Sequence, residues 1–135
     1  MKKKTLLIVF AFLTCTIYSQ NIKTLEKMDD SYQNCLDAGI NMHECSVKYY
    51  IKADSLLNVV YKKIRLNLNL SKKEALKKEQ LLWLKKRDKF FIVANKSISQ
   101  DVGSNVNEEF IMKYNDKKYL FVYDRIEELL KKYKL

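Results

Sequence analysis

The chain has 135 residues, no proline, two glycines and one histidine. Without proline, and with glycine only at Gly39 and Gly103, the chain has little material for tight turns. A turn-rich β fold is therefore excluded in favour of long uninterrupted helices. Lysine, leucine and glutamate, which favour helix, are abundant. The single histidine, His43, removes most histidine-centred chemistry. No Ser/His or Cys/His set assembles around it, and no metal-ligand spacing is present. There is no shift in composition along the chain, so one domain is expected.

A long hydrophobic run is also missing. Leu6–Leu13 is the apolar stretch of the N-terminus, continuing to about Tyr18, and it follows Lys2-Lys3-Lys4. It is shorter than the roughly 20 residues that cross a bilayer. A basic start, a short apolar core and a small residue at Ser19 read as a secretory signal peptide over residues 1–19, leaving a domain over residues 20–135. A lipoprotein anchored at Cys15 fits poorly, because Thr14 is larger than the residue usual before a lipidated cysteine. Removing residues 1–19 takes away three lysines and lowers the net charge from +10 to +7. The expected location is periplasmic or secreted, with no integral membrane span after processing.

Cleavage leaves two cysteines, Cys35 and Cys45. In an oxidising compartment an even pair reads as one disulfide. The alternative is two buried free thiols. Helix one is expected over Thr24–Ala38, with Leu25, Met28, Tyr32, Cys35 and Leu36 as its stripe. Gly39 suits a left-handed cap, and Asn41 with Glu44 suits a capping box for the next helix. The cysteines then lie on either side of a short corner.

Helix two is expected from Met42 to Asn67 or Leu68. Val47, Ile51, Leu57, Tyr61, Ile64 and Leu68 read as its apolar face, with Asp54 and Asn58 on that face. Helix three is expected from Lys72, capped by Ser71 with Glu74, to about Lys96. Its stripe, Leu76, Gln80, Trp83, Arg87, Phe90 or Phe91 and Ala94, again carries polar groups. An antiparallel hairpin of the two helices sets Asp54 opposite Arg87, Asn58 opposite Trp83 and Tyr61 opposite Gln80. A buried polar residue needs a partner. The expectation is a buried network in which Arg87 takes the Asp54 carboxylate and the amides and Tyr61 hydroxyl satisfy one another. Such a network fixes register rather than performing chemistry.

Ser97–Asn105 reads as a polar loop, with Ser99, Gln100, Asp101, Gly103 and Ser104 as a possible binding surface. The alternative is a plain connector. The last helix is expected from Val106 or Asn107 to about Lys134. Tyr119, Val122, Ile126, Leu129 and Tyr133 form its stripe, and Asn115–Lys118 is a possible bend. The fold class is all-α: a small bundle of about four helices with a central antiparallel hairpin and one disulfide.

The cysteine pair, then Ala53-Asp54 with Leu57-Asn58 and Tyr61, then Leu76, Gln80, Trp83 and Arg87-Asp88, resemble the LprI-like lysozyme inhibitor family of secreted bacterial proteins. Gly103-Ser104 and Arg125-Ile126-Glu127-Glu128-Leu129 also fit. Family members often add a cysteine after the Arg-Asp pair, bonded to one nearer the C-terminus. Here Phe90 and Phe91 occupy that region and no late cysteine exists. The resemblance implies a helical envelope protein that inhibits lysozyme, which cleaves peptidoglycan.

The expected function is thus a binding protein and not an enzyme, without cofactor or metal. Its expected partner is an envelope protein, with lysozyme the named candidate. The alternative is a periplasmic adaptor or a module binding an anionic glycan or lipopolysaccharide, suggested by the paired lysines. Nucleic acid is not an expected partner of an exported chain.

Overall fold

A computed structural model describes residues 22–103 and 106–135. The expected signal peptide over residues 1–19, with Cys15, and Ser104 of the expected loop lie outside the described residues. Four helices and no strand are present among those described. They are α1 (residues 22–37), α2 (Met42–Leu66), α3 (Leu70–Val102) and α4 (Glu108–Tyr133).

The core belongs mainly to α1, α2 and α4. Leu25 and Tyr32 of α1, Ala53, Leu57, Val60 and Ile64 of α2, and Tyr119, Val122, Ile126, Leu129 and Leu130 of α4 are all buried. α4 is the helix that packs against both α2 and α3. The backbones of α2 and α3 scarcely approach one another. The expected antiparallel pair of α2 and α3 is present but splayed: α4 takes the closest place against α2, and α3 meets α2 through long side chains such as Phe91 on Tyr50.

The buried face of α2 lies one step round from the expected one. Cys45, Ser46, Tyr49, Ala53, Leu57, Val60 and Ile64 face inward. Ile51 is exposed, and Asp54 and Asn58 move to the rim. Alanine at position 53 allows close backbone approach where isoleucine at 51 would not. The aromatic residues Tyr49 and Tyr32 stack, with ring centroids 5.1 Å apart. Tyr119 meets Tyr32 edge-on at 4.6 Å.

This tyrosine cluster is closed by two crossed hydrogen bonds between α1 and α4. The Tyr32 hydroxyl donates to Asp116 Oδ1 at 3.0 Å, and the Tyr119 hydroxyl donates to Asp29 Oδ1 at 2.9 Å. Burial, followed by the hydrogen bond and charge of the facing carboxylate, pushes both phenols far above their ordinary range. Each phenol thus stays a neutral donor, which is the form its carboxylate needs.

Gly39 ends the first corner in a left-handed conformation, φ 68°. Its amide donates to the Leu36 carbonyl at 2.9 Å. Asn41 is left-handed too and makes no side-chain cap; its carbonyl accepts from the Glu44 and Cys45 amides instead. At the next turn the cap is Asn69 rather than Ser71: Asn69 Oδ1 accepts from the Lys72 amide at 3.0 Å. α4 runs through Asn115–Lys118 without a break, and Asn115 Nδ2 donates back to the Ile111 carbonyl.

Cys35 and Cys45 are joined by a disulfide across the α1–α2 corner, with Cα atoms 6.0 Å apart. The bridge closes a short loop, for which chain entropy gives about 2–3 kcal/mol. Replacing both cysteines with serine should lower the unfolding free energy by about that amount. Thermal melts with and without reductant measure it. A melting temperature that reductant does not move would contradict the assignment.

Candidate functional site

The polar residues expected to meet each other do line a common feature, but as an open groove. It holds about 350 Å³ between α2 and α3. Asp54, Asn58 and Tyr61 form one wall, and Lys77, Gln80 and Arg87 stand on the other. The expected register is therefore visible, with the two walls held apart.

Within the groove the bonds differ from those expected. Arg87 Nη1 lies 4.0 Å from Asp54 Oδ1, and the two side chains are 25% and 40% exposed. The tighter partner is the adjacent Asp88, whose Oδ1 accepts from Arg87 Nε at 3.0 Å and Nη2 at 2.8 Å. Asn58 is exposed, and its Nδ2 donates to the Asp54 backbone carbonyl at 2.9 Å. Tyr61 has Arg65 near its ring. Trp83 stacks on Phe121 at 5.6 Å rather than meeting Asn58. The sealed network is thus corrected to a half-exposed rim, because the rotation of α2 turns Asp54 and Asn58 outward. An ion pair this wet contributes about 0–1 kcal/mol.

Gln80 has another partner, which the sequence reading missed. Arg125 of α4 is 3% exposed. Its Nε and Nη2 donate to Gln80 Oε1 at 3.2 and 3.0 Å. Its Nη1 donates to Glu79 Oε1 at 2.9 Å and to Glu128 Oε2 at 2.8 Å. Its guanidinium also lies 5.8 Å from the Trp83 ring centroid. All three guanidinium nitrogens are therefore satisfied, as a buried cation requires. Lys132 Nζ donates to the other Glu79 oxygen at 2.7 Å. Burial alone would raise the Glu79 pKa. Hydrogen bonds from Lys132 and Arg125, and their charges, outweigh it and hold the carboxyl below its ordinary value. The signal was present in the sequence: Arg125 interrupts the apolar spacing Val122, Ile126, Leu129 on the buried side of α4.

A second cation is wrapped by rings from three helices. Lys118 Nζ of α4 lies 3.7 Å from the Tyr50 ring centroid, 5.0 Å from Tyr114 and 5.3 Å from Phe91. Burial, moderated by Asp54, depresses its pKa. Phe90 and Phe121 stack at 4.5 Å, so α3 meets α4 through large aromatic side chains. Such rings hold the two backbones apart, which explains why α3 has only Leu76, Ala94 and Ile98 fully buried.

The possible binding loop is shorter than expected. Ile98 continues the buried line of Ala94, so α3 extends to Val102 and carries Ser99, Gln100 and Asp101 in its last turns. Asp101 Oδ2 accepts from Lys113 Nζ at 2.7 Å. The side-chain hydrogen bond and charge of Lys113 hold the Asp101 carboxyl low. Gly103 ends the helix at φ 91°. Asn107 then caps α4, accepting from the Phe110 amide at 2.8 Å. The beginning of α4 lies beside the α1–α2 corner, where a hollow of about 420 Å³ is lined by Gly39, Asn41, His43, Glu108 and Glu109. His43 Nδ1 is 3.6 Å from Glu108 there. Ile40 and Val106, on the two corners, are exposed.

Among the described residues, no group of three or more His, Cys, Asp or Glu side chains is placed to hold a metal ion. No described helix is long and apolar enough to cross a membrane. In comparison with known proteins, the family described as "Lysozyme inhibitor LprI" matches residues 20–129. No curated protein and no solved structure matches the chain.

The two arginines should separate in a stability measurement. Arg125→Ala empties a buried position and removes the hydrogen bonds to Gln80, Glu79 and Glu128, whose side chains are themselves partly exposed, and should cost about 2–5 kcal/mol. Arg87→Ala should cost about 1 kcal/mol or less. Urea unfolding measures both, and equal losses would contradict the placement of the buried cation. The pH dependence has a defined sign. Because the folded-state pKa of Glu79 is depressed, its contribution is present above the unfolded value and is lost as pH falls through the folded one. Wild type should therefore lose more stability than Glu79→Gln on acidification below about pH 4.5, the ordinary value for this group.

Proposed function

The chain belongs to the LprI lysozyme inhibitor family, and from that membership we propose that it is a secreted or periplasmic protein that binds and inhibits lysozyme. The observation that carries this reading is the family match, which spans residues 20–129. It acts by occupying an enzyme and not by catalysis of its own, in keeping with an inhibitor family.

The architecture suits that task in two respects. An inhibitor gains affinity when its contact surface is already rigid, because less freedom is lost on binding. Here the disulfide braces the α1–α2 corner, and the crossed Tyr–Asp bonds tie α1 to α4 nearby. The corner and the start of α4 also share one end of the molecule. Surface connections on a rigid scaffold are favoured positions for binding residues.

We assign the contact to this end, with Ile40 and Val106 as exposed apolar groups and the segment from Ser99 to Gly103 at its margin. A lysozyme cleft contains two closely placed carboxylates and accepts an extended glycan.

Turbidity of a cell-wall suspension tests both statements. Stoichiometric protein should slow lysis by lysozyme, and undiminished lysis would remove the inhibitor reading. Ile40→Asp with Val106→Asp should weaken inhibition at least ten-fold while preserving the helical spectrum. If these variants inhibit like wild type, inhibition stands but the end of the molecule is wrongly assigned.

A further inference from the structure

α3 turns one side to the bundle and leaves the other uncovered. At about 100° per residue, Leu76, Arg87, Ala94 and Ile98 fall on the inner side. On the opposite side, Lys78, Lys85, Lys89 and Lys96 lie within about 20° of one line along the helix, and all four are exposed. This row is about 27 Å long at about 1.5 Å per residue. Leu81 and Ile92 run along one flank of it, and Leu82 and Val93 along the other. These four aliphatic side chains are between 51% and 71% exposed.

The charge along this row has one sign. From Lys77 to Gln100 the carboxylates are Glu79 and Asp88. Glu79 is engaged by Arg125 and Lys132, and Asp88 by Arg87. Glu74 precedes the row by one turn. No ion pair joins a carboxylate to any of the four lysines among the described residues, whereas Lys131 and Lys132 elsewhere each have one and Lys113 has two.

Two features must be satisfied together by whatever covers this side. A second copy of the same face fails, because lysine would meet lysine. A neutral apolar partner fails as well, because each ammonium would lose water without gaining a counter-charge. A soluble polyanion satisfies the lysines and leaves the four aliphatic groups in water. An anionic bilayer satisfies both: its headgroups take the ammonium groups, while aliphatic side chains enter the acyl boundary beside the lysine stems.

We propose that the outer face of α3 docks the protein flat on an anionic lipid bilayer, with Lys78, Lys85, Lys89 and Lys96 on the headgroups and Leu81, Leu82, Ile92 and Val93 at the acyl boundary. The attachment is peripheral, as no described helix can span a membrane. It is independent of the lysozyme reading, since it uses the side of α3 and leaves the corner end free.

Co-sedimentation of the full chain with two kinds of vesicle tests it. One is phosphatidylcholine alone, and the other is phosphatidylcholine enriched in phosphatidylglycerol. The readout is the extra binding to the anionic vesicles, which cancels any attraction common to both. That extra binding should be present in wild type and should fall steeply with added salt. Lys85→Glu with Lys89→Glu should reduce it at least ten-fold, since each lysine near an anionic surface contributes roughly five-fold. Ile92→Ser with Val93→Ser should reduce it several-fold while leaving retention on soluble dextran sulfate unchanged. Equal binding of wild type to the two vesicles would overturn the proposal without relying on any variant. So would full vesicle binding by the Ile92/Val93 variant, which would reduce the face to a polyanion surface.

Discussion

A guanidinium shut away from water needs acceptors around it, and Arg125 finds one or more for each of its three nitrogens by drawing on two helices. Gln80 and Glu79 come from α3, and Glu128 comes from its own helix. Leaving any of these donors unpaired in the interior would cost more than an ordinary hydrogen bond contributes. The position of α3 against α4 is therefore set by a polar requirement rather than by aliphatic packing. Trp83 under the guanidinium and the Phe90–Phe121 stack complete that contact.

The rest of the architecture follows from this division. α1, α2 and α4 share the dense core, sealed by the tyrosine cluster and the disulfide. α3 stands off at a distance set by rings, with the groove open on its α2 side and its far side bare to solvent. One long helix thereby offers two unlike surfaces without weakening the core. The corners at the end of the bundle, braced by the disulfide, remain separate from both.

Much of this was legible in the sequence, and the failures have physical causes. The absence of proline, Gly39 as a left-handed terminator and the Cys35–Cys45 pair all gave the right local structure. The spacing Tyr119, Val122, Ile126, Leu129 gave the right face of α4. On α2 two apolar lines compete, one through Ile51 and one through Tyr49, Ala53, Leu57 and Val60. Periodicity cannot choose between them, and packing against α4 turns the second line inward. Arg87 looked like the buried cation because Asp54 stood opposite it. Its adjacent acid, Asp88, instead holds it at the rim. Ile98, a single apolar residue among serines, was enough to carry α3 past the expected loop.

Hydrogen exchange resolved by helix tests the role of Arg125 most directly. In the Arg125→Met variant, amides of α3 should lose protection at least ten-fold while those of α1 and α2 are little changed. The reason is that one helix loses its anchor and the core keeps its own. Uniform loss along all four helices, or unchanged protection in α3, would contradict it.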